Sequence, residues 1–147
     1  MSAVSNISEV EFGVELEPFE PDTSLAATSA FAEAVGWTDG RGGRFTDHEA
    51  ARKEGFPGAL VPGIMNMGFL TSMIHRWSPV AEVVHVDTVF RAPVIADEPC
   101  TISAVITDVD EEECLVELDL TVKNAKDETR VFGTAKVRLP AALSERT

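Results

Sequence analysis

The sequence is short of positive charge. Against 25 Asp and Glu it sets 12 Lys and Arg, giving a formal net charge of −13 and a pI near 4.5. Nucleic-acid binding rests on Lys and Arg neutralising phosphates, so this balance argues against it. Cysteine is scarce too. Cys100 and Cys114 are the only two, they lack CxxC spacing, and each falls in a strand-like run. That pattern predicts reduced, buried thiols in a cytoplasmic protein. His48, His75 and His85 are the only histidines, and none has metal-ligand spacing with a cysteine or carboxylate, so neither a metal nor another cofactor is expected. The start, MSAVSNISEVEFGVELE, lacks a basic segment followed by an apolar run, so no signal peptide is expected. The longest charge-free stretch, Gly55 to Ile74, is broken by Pro57, Pro62, Gly58, Gly63 and Gly68. A membrane span needs roughly 20 apolar residues in one helix. The second half of this stretch therefore reads as a buried core helix.

What is present fits one domain. The 147 residues are 44% hydrophobic and 25% charged, an ordinary globular composition with enough chain for a sizeable core. Glu9–Glu17 alternates Val10, Phe12, Val14 and Leu16 with polar residues or Gly, which predicts a strand. A helix capped by Asp22 or Thr23 should run to about Val35, with Leu25, Thr28, Phe31, Ala32 and Val35 inward, and stop at Gly36. WTDGRGGRF reads as loop. DHEAARKEG reads as a short helix capped by Thr46 or Asp47 and closed by Gly55. The central helix is expected from Pro62, as its first residue, to about Trp77; Leu70, Met73, Ile74 and Trp77 form one stripe, and apolar residues on nearly all sides predict burial of most of its surface. Val83–Arg91, Cys100–Val109, Cys114–Asn124 and Arg130–Leu139 follow period two and read as strands. The sum is an α+β fold, an antiparallel sheet wrapped around a central apolar helix, with a core of about 9–140 and a tail at each end.

Three segments in order carry a resemblance: FAEAVGWTDGR…FTDHEAARKEGFPGALVPGIMNMGFL, FRAPVIADEPCTISAVITDV and VFGTAKVRLP. Together they resemble the MaoC-like hotdog family of (R)-specific enoyl-CoA hydratases and 3-hydroxyacyl dehydratases, over roughly Phe12 to Pro140. The resemblance implies a hotdog fold, a dimer of hotdogs, and thioester ligands on coenzyme A or acyl carrier protein. It also implies a catalytic Asp and His before the short helix, and a His-Gly pair opening the central helix. Counted back from Ala50 and Ala51, the His position is Phe45 and the Asp position is Gly40, beside Asp39. The His of the pair is Pro62, whereas its Gly is kept as Gly63. The chain thus resembles the members and half-domains that lack the dyad and pair with a catalytic hotdog.

Hydration of an enoyl thioester needs a base for water, an acid for the α-carbon, and donors for the enolate oxygen. Gly63 at a helix N-terminus is placed to supply the donors, or else simply gives the helix a tight start. Asp39 and His48 are the only nearby groups able to replace the dyad. Otherwise Asp39 makes a turn and His48 lies on a surface helix. Met65 and Asn66 on the helix's first turn are expected near a ligand, with Phe45 beside them. Arg41, Arg44, Arg76, Arg91 and Lys123 are candidates for coenzyme A phosphates. His75, near a helix end, suits a capping or interface role, and His85 a half-buried sheet position. A thioesterase is disfavoured because no Asp or Glu occurs between Glu54 and Glu82. The leading expectation is a non-catalytic or weakly catalytic acyl-CoA or acyl-ACP binding partner, as a homodimer or in a heterodimer with a catalytic hotdog. The alternatives are an (R)-hydratase using Asp39 and His48, and a homodimeric binding module with no thioester.

Overall fold

The four period-two runs form four strands, β1 (Glu82–Phe90), β2 (Cys100–Asp110), β3 (Leu115–Asn124) and β4 (Thr129–Arg138). They build one antiparallel sheet in the order β1-β4-β3-β2. The computed structural model describes residues 3–37 and 43–143. On β3 the alternation does its expected sorting. Val116, Leu118, Leu120 and Val122 are fully buried, while Asp119 is exposed and Glu117 half-buried. Each such aliphatic side chain contributes about 1.5–3 kcal/mol on leaving water, so one face of this strand alone ties the sheet firmly to its core.

The core partner of that face is a helix that follows three shorter ones. These are α1 (Leu25–Ala34), α2 (Gly43–Thr46), α3 (His48–Lys53) and the long α4 (Gly63–Trp77). Asn66, Leu70, Met73 and Ile74 of α4 are buried, and Trp77 is half-buried against the core. The helix is not buried on most sides, as its composition predicts. Ile64 is 60% exposed and shares an outer stripe with Gly68, Ser72, His75 and Arg76. The sheet covers one side only. Pro62 is the N-cap rather than the first helical residue, and its carbonyl accepts the Asn66 N–H at 3.0 Å.

The N-terminal segment departs most from expectation. Glu9–Glu17 is not a regular strand. A 3-10 turn occupies Ile7–Glu9, held by a capping box between Asn6 and Glu9. Beyond it the chain meets β2 at the isolated bridges Glu15↔Val105 and Phe19↔Ile102 and through the Gly13 N–H, which donates to Ile106 O at 2.8 Å. Gly13 sits at φ +83°, which breaks the extended run and leaves Phe12 75% exposed. Packing also extends beyond 9–140. The Val4 N–H donates to Trp77 O at 2.9 Å, and Ile7, buried, donates to Pro140 O at 2.9 Å.

Helix α1 starts after both expected caps, Asp22 and Thr23. Ser24 is its N-cap, accepting from Ala27 N–H, because Asp22 binds Ser24 N–H and the Thr23 hydroxyl donates to Glu98 O. Thr28 and Ala32 are buried, Leu25 and Phe31 half-buried, and Val35, as C-cap, is exposed. The turn of helix α2 lies in a stretch whose glycines predict loop. Asp47 caps α3, and Gly55 at φ +96° follows its end. No described helix is long and apolar enough to cross a membrane.

Candidate functional site

The turn Phe56–Pro62 is fastened on three sides before it reaches α4. Val61 N–H donates to Val94 O at 2.8 Å, Ala96 N–H to Ala59 O at 2.8 Å, and Leu60 N–H to Arg44 O at 2.8 Å. The third anchor also fixes α2, which carries Phe45, beside the turn. Pinned there, the turn, the start of α4 and the end of β1 enclose a cavity of about 280 Å³. Phe45, Gly63, Asn66, Phe90 and Arg91 are among its lining residues. Three of the four residues expected at a ligand, Phe45, Gly63 and Asn66, thus meet in one place. Met65, the fourth, is half-buried against the hydrophobic core and does not line the cavity.

Gly63 is the first helical residue, so its N–H and the next two have no acceptor within α4. Its φ is ordinary, and no tight turn requires glycine here. What glycine provides is space: a Cβ would stand 3.2 Å from Cε1 and Cζ of the Phe90 ring, which would have to shift by a few tenths of an ångström. Phe45 stacks on Trp37 at 5.1 Å between centroids, and Trp37 meets Phe31 edge-on at 5.9 Å. Asn66 is 2% exposed. Its Nδ2 donates to Pro62 O at 3.2 Å and weakly to Val61 O at 3.4 Å, while its Oδ1 is buried without a partner.

His48 lies outside this lining. Its Nδ1 accepts the Ala59 N–H at 2.9 Å, and its Nε2 lies 2.7 Å from Asp97 Oδ2. Since a backbone N–H only donates, the Nε2 carries the proton and gives it to Asp97. Both ring nitrogens are engaged. Asp97, which the sequence reading passed over, also accepts from Leu25 N–H at 2.8 Å and donates its own N–H to Thr23 O at 2.9 Å. The His48 hydrogen bond, then that of Leu25, holds its carboxyl below the ordinary aspartate value. Asp39, Gly40 and Arg41 lie outside the described residues.

The structure sorts the basic candidates. Arg44 pairs with Glu54 at 2.8 Å, Lys123 with Asp127 at 3.4 Å, and the Arg76 guanidinium lies 4.6 Å over the Phe19 ring. Arg91 lines the cavity and has no carboxylate partner among the described residues. His75 Nε2 donates to Ala81 O at 3.2 Å, near the end of its helix. His85 is exposed rather than half-buried, because it sits beside the register shift between Val83 and His85 on a strand that lacks an outer neighbour. Cys100 is buried, and that burial, with Glu20 nearby, pushes its thiol up to about 11. Cys114 is only half-buried, since it occupies the turn before β3 at φ +58°. Among the described residues no cluster of His, Cys, Asp or Glu is arranged to hold a metal ion.

The described lining of the cavity contains no Asp, Glu, His or Lys; Arg91 is its one ionisable group. An arginine does not give up its proton in a protein. The cavity therefore offers the start of α4 at Gly63 and an apolar wall, without a described group that can shuttle a proton.

This is the hotdog fold of (R)-hydratases and MaoC-like dehydratases. The (R)-hydratase from A. caviae involved in PHA biosynthesis superposes with a TM-score of 0.79 at 20% identity, over 89% of this chain and 98% of that one. The ChsH1–ChsH2 complex from Mycobacterium tuberculosis gives 0.77 at 17% identity, over 88% and 98%. The HadBC (3R-hydroxyacyl-ACP dehydratase) complex from the same organism gives 0.63 at 20% identity, over 86% and 96%. No protein-family profile matches the chain, and no curated protein sequence does.

Proposed function

We propose that the chain binds acyl thioesters, on coenzyme A or acyl carrier protein, and does not turn them over by itself. It serves as a partner of a catalytic hotdog in an enoyl hydratase or 3-hydroxyacyl dehydratase assembly in the cytoplasm. One observation carries this reading: the cavity keeps Gly63, the first residue of α4, yet its described lining has no proton-transfer group. Helix N–H groups suit a thioester oxygen, whether or not chemistry follows. The assembly reading draws support from the outer edge of β1, which has no partner strand among the described residues and exposes Val84, Val89 and Phe90. The two-component ChsH1–ChsH2 and HadBC complexes have the same fold.

An active enzyme with a relocated Asp39 and His48 pair is the second reading. For it, His48 would have to release either Ala59 or Asp97. The two separate in one assay on the purified chain, following loss of enoyl-thioester absorbance with short and long acyl groups. The expected result is acyl-CoA binding by calorimetry without turnover, and turnover once a catalytic hotdog is added. Turnover by the chain alone that vanishes in Asp39→Asn or His48→Ala would overturn it. Failure to bind any acyl-CoA, alone or with the partner, would leave a homodimeric module with no thioester.

A further inference from the structure

The amide of Asn66 is half used. Its orientation is fixed, because the Val61 and Pro62 carbonyls lie on one side and only an NH2 group can face two acceptors. The opposite atom, Oδ1, is then a buried acceptor without a donor, on a residue that lines the cavity beside the first turn of α4. Leucine would fill a similar volume without that cost. Holding the two carbonyls explains Nδ2 but leaves Oδ1 without a purpose. Gly63 and Asn66 thus bring two complementary needs close together at the cavity: a helix start whose N–H groups lack an acceptor within the helix, and an amide oxygen, closed to solvent in this structure, that lacks a donor.

We propose that Asn66 is a specificity-determining residue, whose Oδ1 accepts a hydrogen bond from the 3-hydroxyl of a 3-hydroxyacyl thioester. The inference rests on the thioester reading above and adds which form of the ligand is held. A 3-hydroxyacyl thioester carries a carbonyl acceptor and, two carbons away, a hydroxyl donor. The enoyl and saturated thioesters have the same carbonyl and no donor at that carbon. Oδ1 is closed to water in this structure, and a small turn of the side chain on binding brings it to the ligand hydroxyl. A hydroxyl there makes the hydrogen bond, whereas a CH or CH2 group leaves Oδ1 without one. The site therefore favours the hydrated form and, with no proton-transfer group in its described lining, holds it without dehydrating it.

Calorimetry on the full chain, with a catalytic partner whose Asp and His have been replaced where binding needs one, compares four coenzyme A thioesters of equal chain length: 3-hydroxyacyl, 3-fluoroacyl, enoyl and saturated. Fluorine matches the hydroxyl in size but donates nothing. The expected result is binding of the 3-hydroxyacyl form about tenfold tighter than the other three, the worth of one buried hydrogen bond. In Asn66→Leu the difference should fall to within about twofold while saturated acyl-CoA still binds. If that variant fails to fold, the hydroxyl-against-fluorine comparison in the unaltered chain stands alone. Equal affinities for the hydroxyl and fluoro ligands overturn the inference while leaving the thioester reading intact. So does an Asn66→Leu variant that weakens all four alike, which would assign Oδ1 to an amide of the carrier arm. Binding of none of the four overturns both.

Discussion

His48 Nε2 lies 2.7 Å from Asp97 Oδ2, and through this contact the start of α3 and the turn before β2, 49 residues apart, hold each other. The His48 ring also takes the Ala59 N–H, and Asp97 takes the N–H that begins α1. The pair thus ties α1, α3 and the turn leading to α4 into one piece. Gly58 leaves room for it, since a Cβ there would stand 3.0 Å from His48 Nδ1 and 3.2 Å from Ile95. His48→Ala strips the acceptor from Ala59, a fully buried residue. Leaving a buried N–H unpaired costs about 1–3 kcal/mol. Denaturant unfolding of His48→Ala and of Gly58→Ala should both show losses in that range. An unchanged midpoint in His48→Ala would mean that the ring is not holding the turn.

The same pair sets an acid dependence. The Asp97 carboxyl is held below its ordinary value of 3.8 by the His48 and Leu25 hydrogen bonds. A depressed carboxylate stabilises the fold above its unfolded value, and the contribution is lost as pH falls through the lower folded value. Stability should therefore fall with acidification below about 4, where the unfolded chain takes up protons first. Glu9, Asp22 and Glu128 are depressed too and add to the same slope. Asp97→Asn should flatten the slope of stability against pH in this window, measured by urea titration at successive pH values. An equal slope in the variant would remove Asp97 from the account.

The two cysteines should separate chemically. Burial pushes the Cys100 thiol up to about 11, and the thiolate is the reactive form. Cys114 is partly open to solvent, its Sγ directed to Glu111 O at 3.7 Å. Titration of the native protein with an aromatic disulfide at a pH of about 8 should modify Cys114 and spare Cys100 until denaturant is added. Cys114→Ser should then show no fast-reacting thiol. Fast reaction of Cys100 in that variant would contradict its placement in the core.

What was legible in the sequence follows from which forces are local. The β3 run could be read directly, because alternation is a property of neighbouring residues and its buried side is one unbroken row, Val116 to Val122. The N-terminal segment alternates as well, but Gly13 at φ +83° bends it, and nothing in EVEFGVELE distinguishes a glycine that bends from one that does not. At the site, Gly63 and Asn66 could be anticipated because helix starts have free N–H groups wherever they occur, and Phe45 only through the family resemblance, which puts a His at its position. Asp97 could not: its partner is remote in sequence, and an aspartate in a turn usually serves only the turn. Arg91 emerged from the other candidates only when Arg44, Arg76 and Lys123 proved to be engaged elsewhere.

Gly133 ties the sheet to the cavity. A Cβ on it would meet Asp87 O at 2.1 Å and Thr88 Cα at 3.1 Å, both on the backbone of β1. No rotamer relieves a clash with backbone, so Gly133→Ala forces β1 away from β4 at the Thr88↔Gly133 position. Overpacking of this kind costs about 1–3 kcal/mol, occasionally more. Because β1 ends in Phe90, whose ring rests on Gly63, the strain reaches the cavity wall. The expected outcome is a lower melting temperature together with weakened acyl-CoA binding. Gly68→Ala, where a Cβ meets nothing within 4 Å, is the control and should leave both unchanged or raise stability slightly.

If missing proton-transfer groups are what silences the site, supplying them should give it a voice. The resemblance to active hydratases puts the Asp at Gly40 and the His at Phe45, and Phe45 already lines the cavity next to the start of α4. Gly40→Asp with Phe45→His should therefore produce enoyl-thioester hydration, where the proposed reading expects none from the unaltered chain. Either single change should leave it inactive, since an imidazole without its carboxylate lacks the partner that orients it. A positioned acid–base group typically contributes about 10²–10⁴-fold, enough to see above background in an absorbance assay. The double variant gives up the Phe45–Trp37 stacking, worth about 0.5–1.5 kcal/mol, so its melting temperature should drop modestly. A double variant that folds, still binds acyl-CoA and shows no turnover would mean that the site is silent for another reason, such as the position of Phe90 over Gly63.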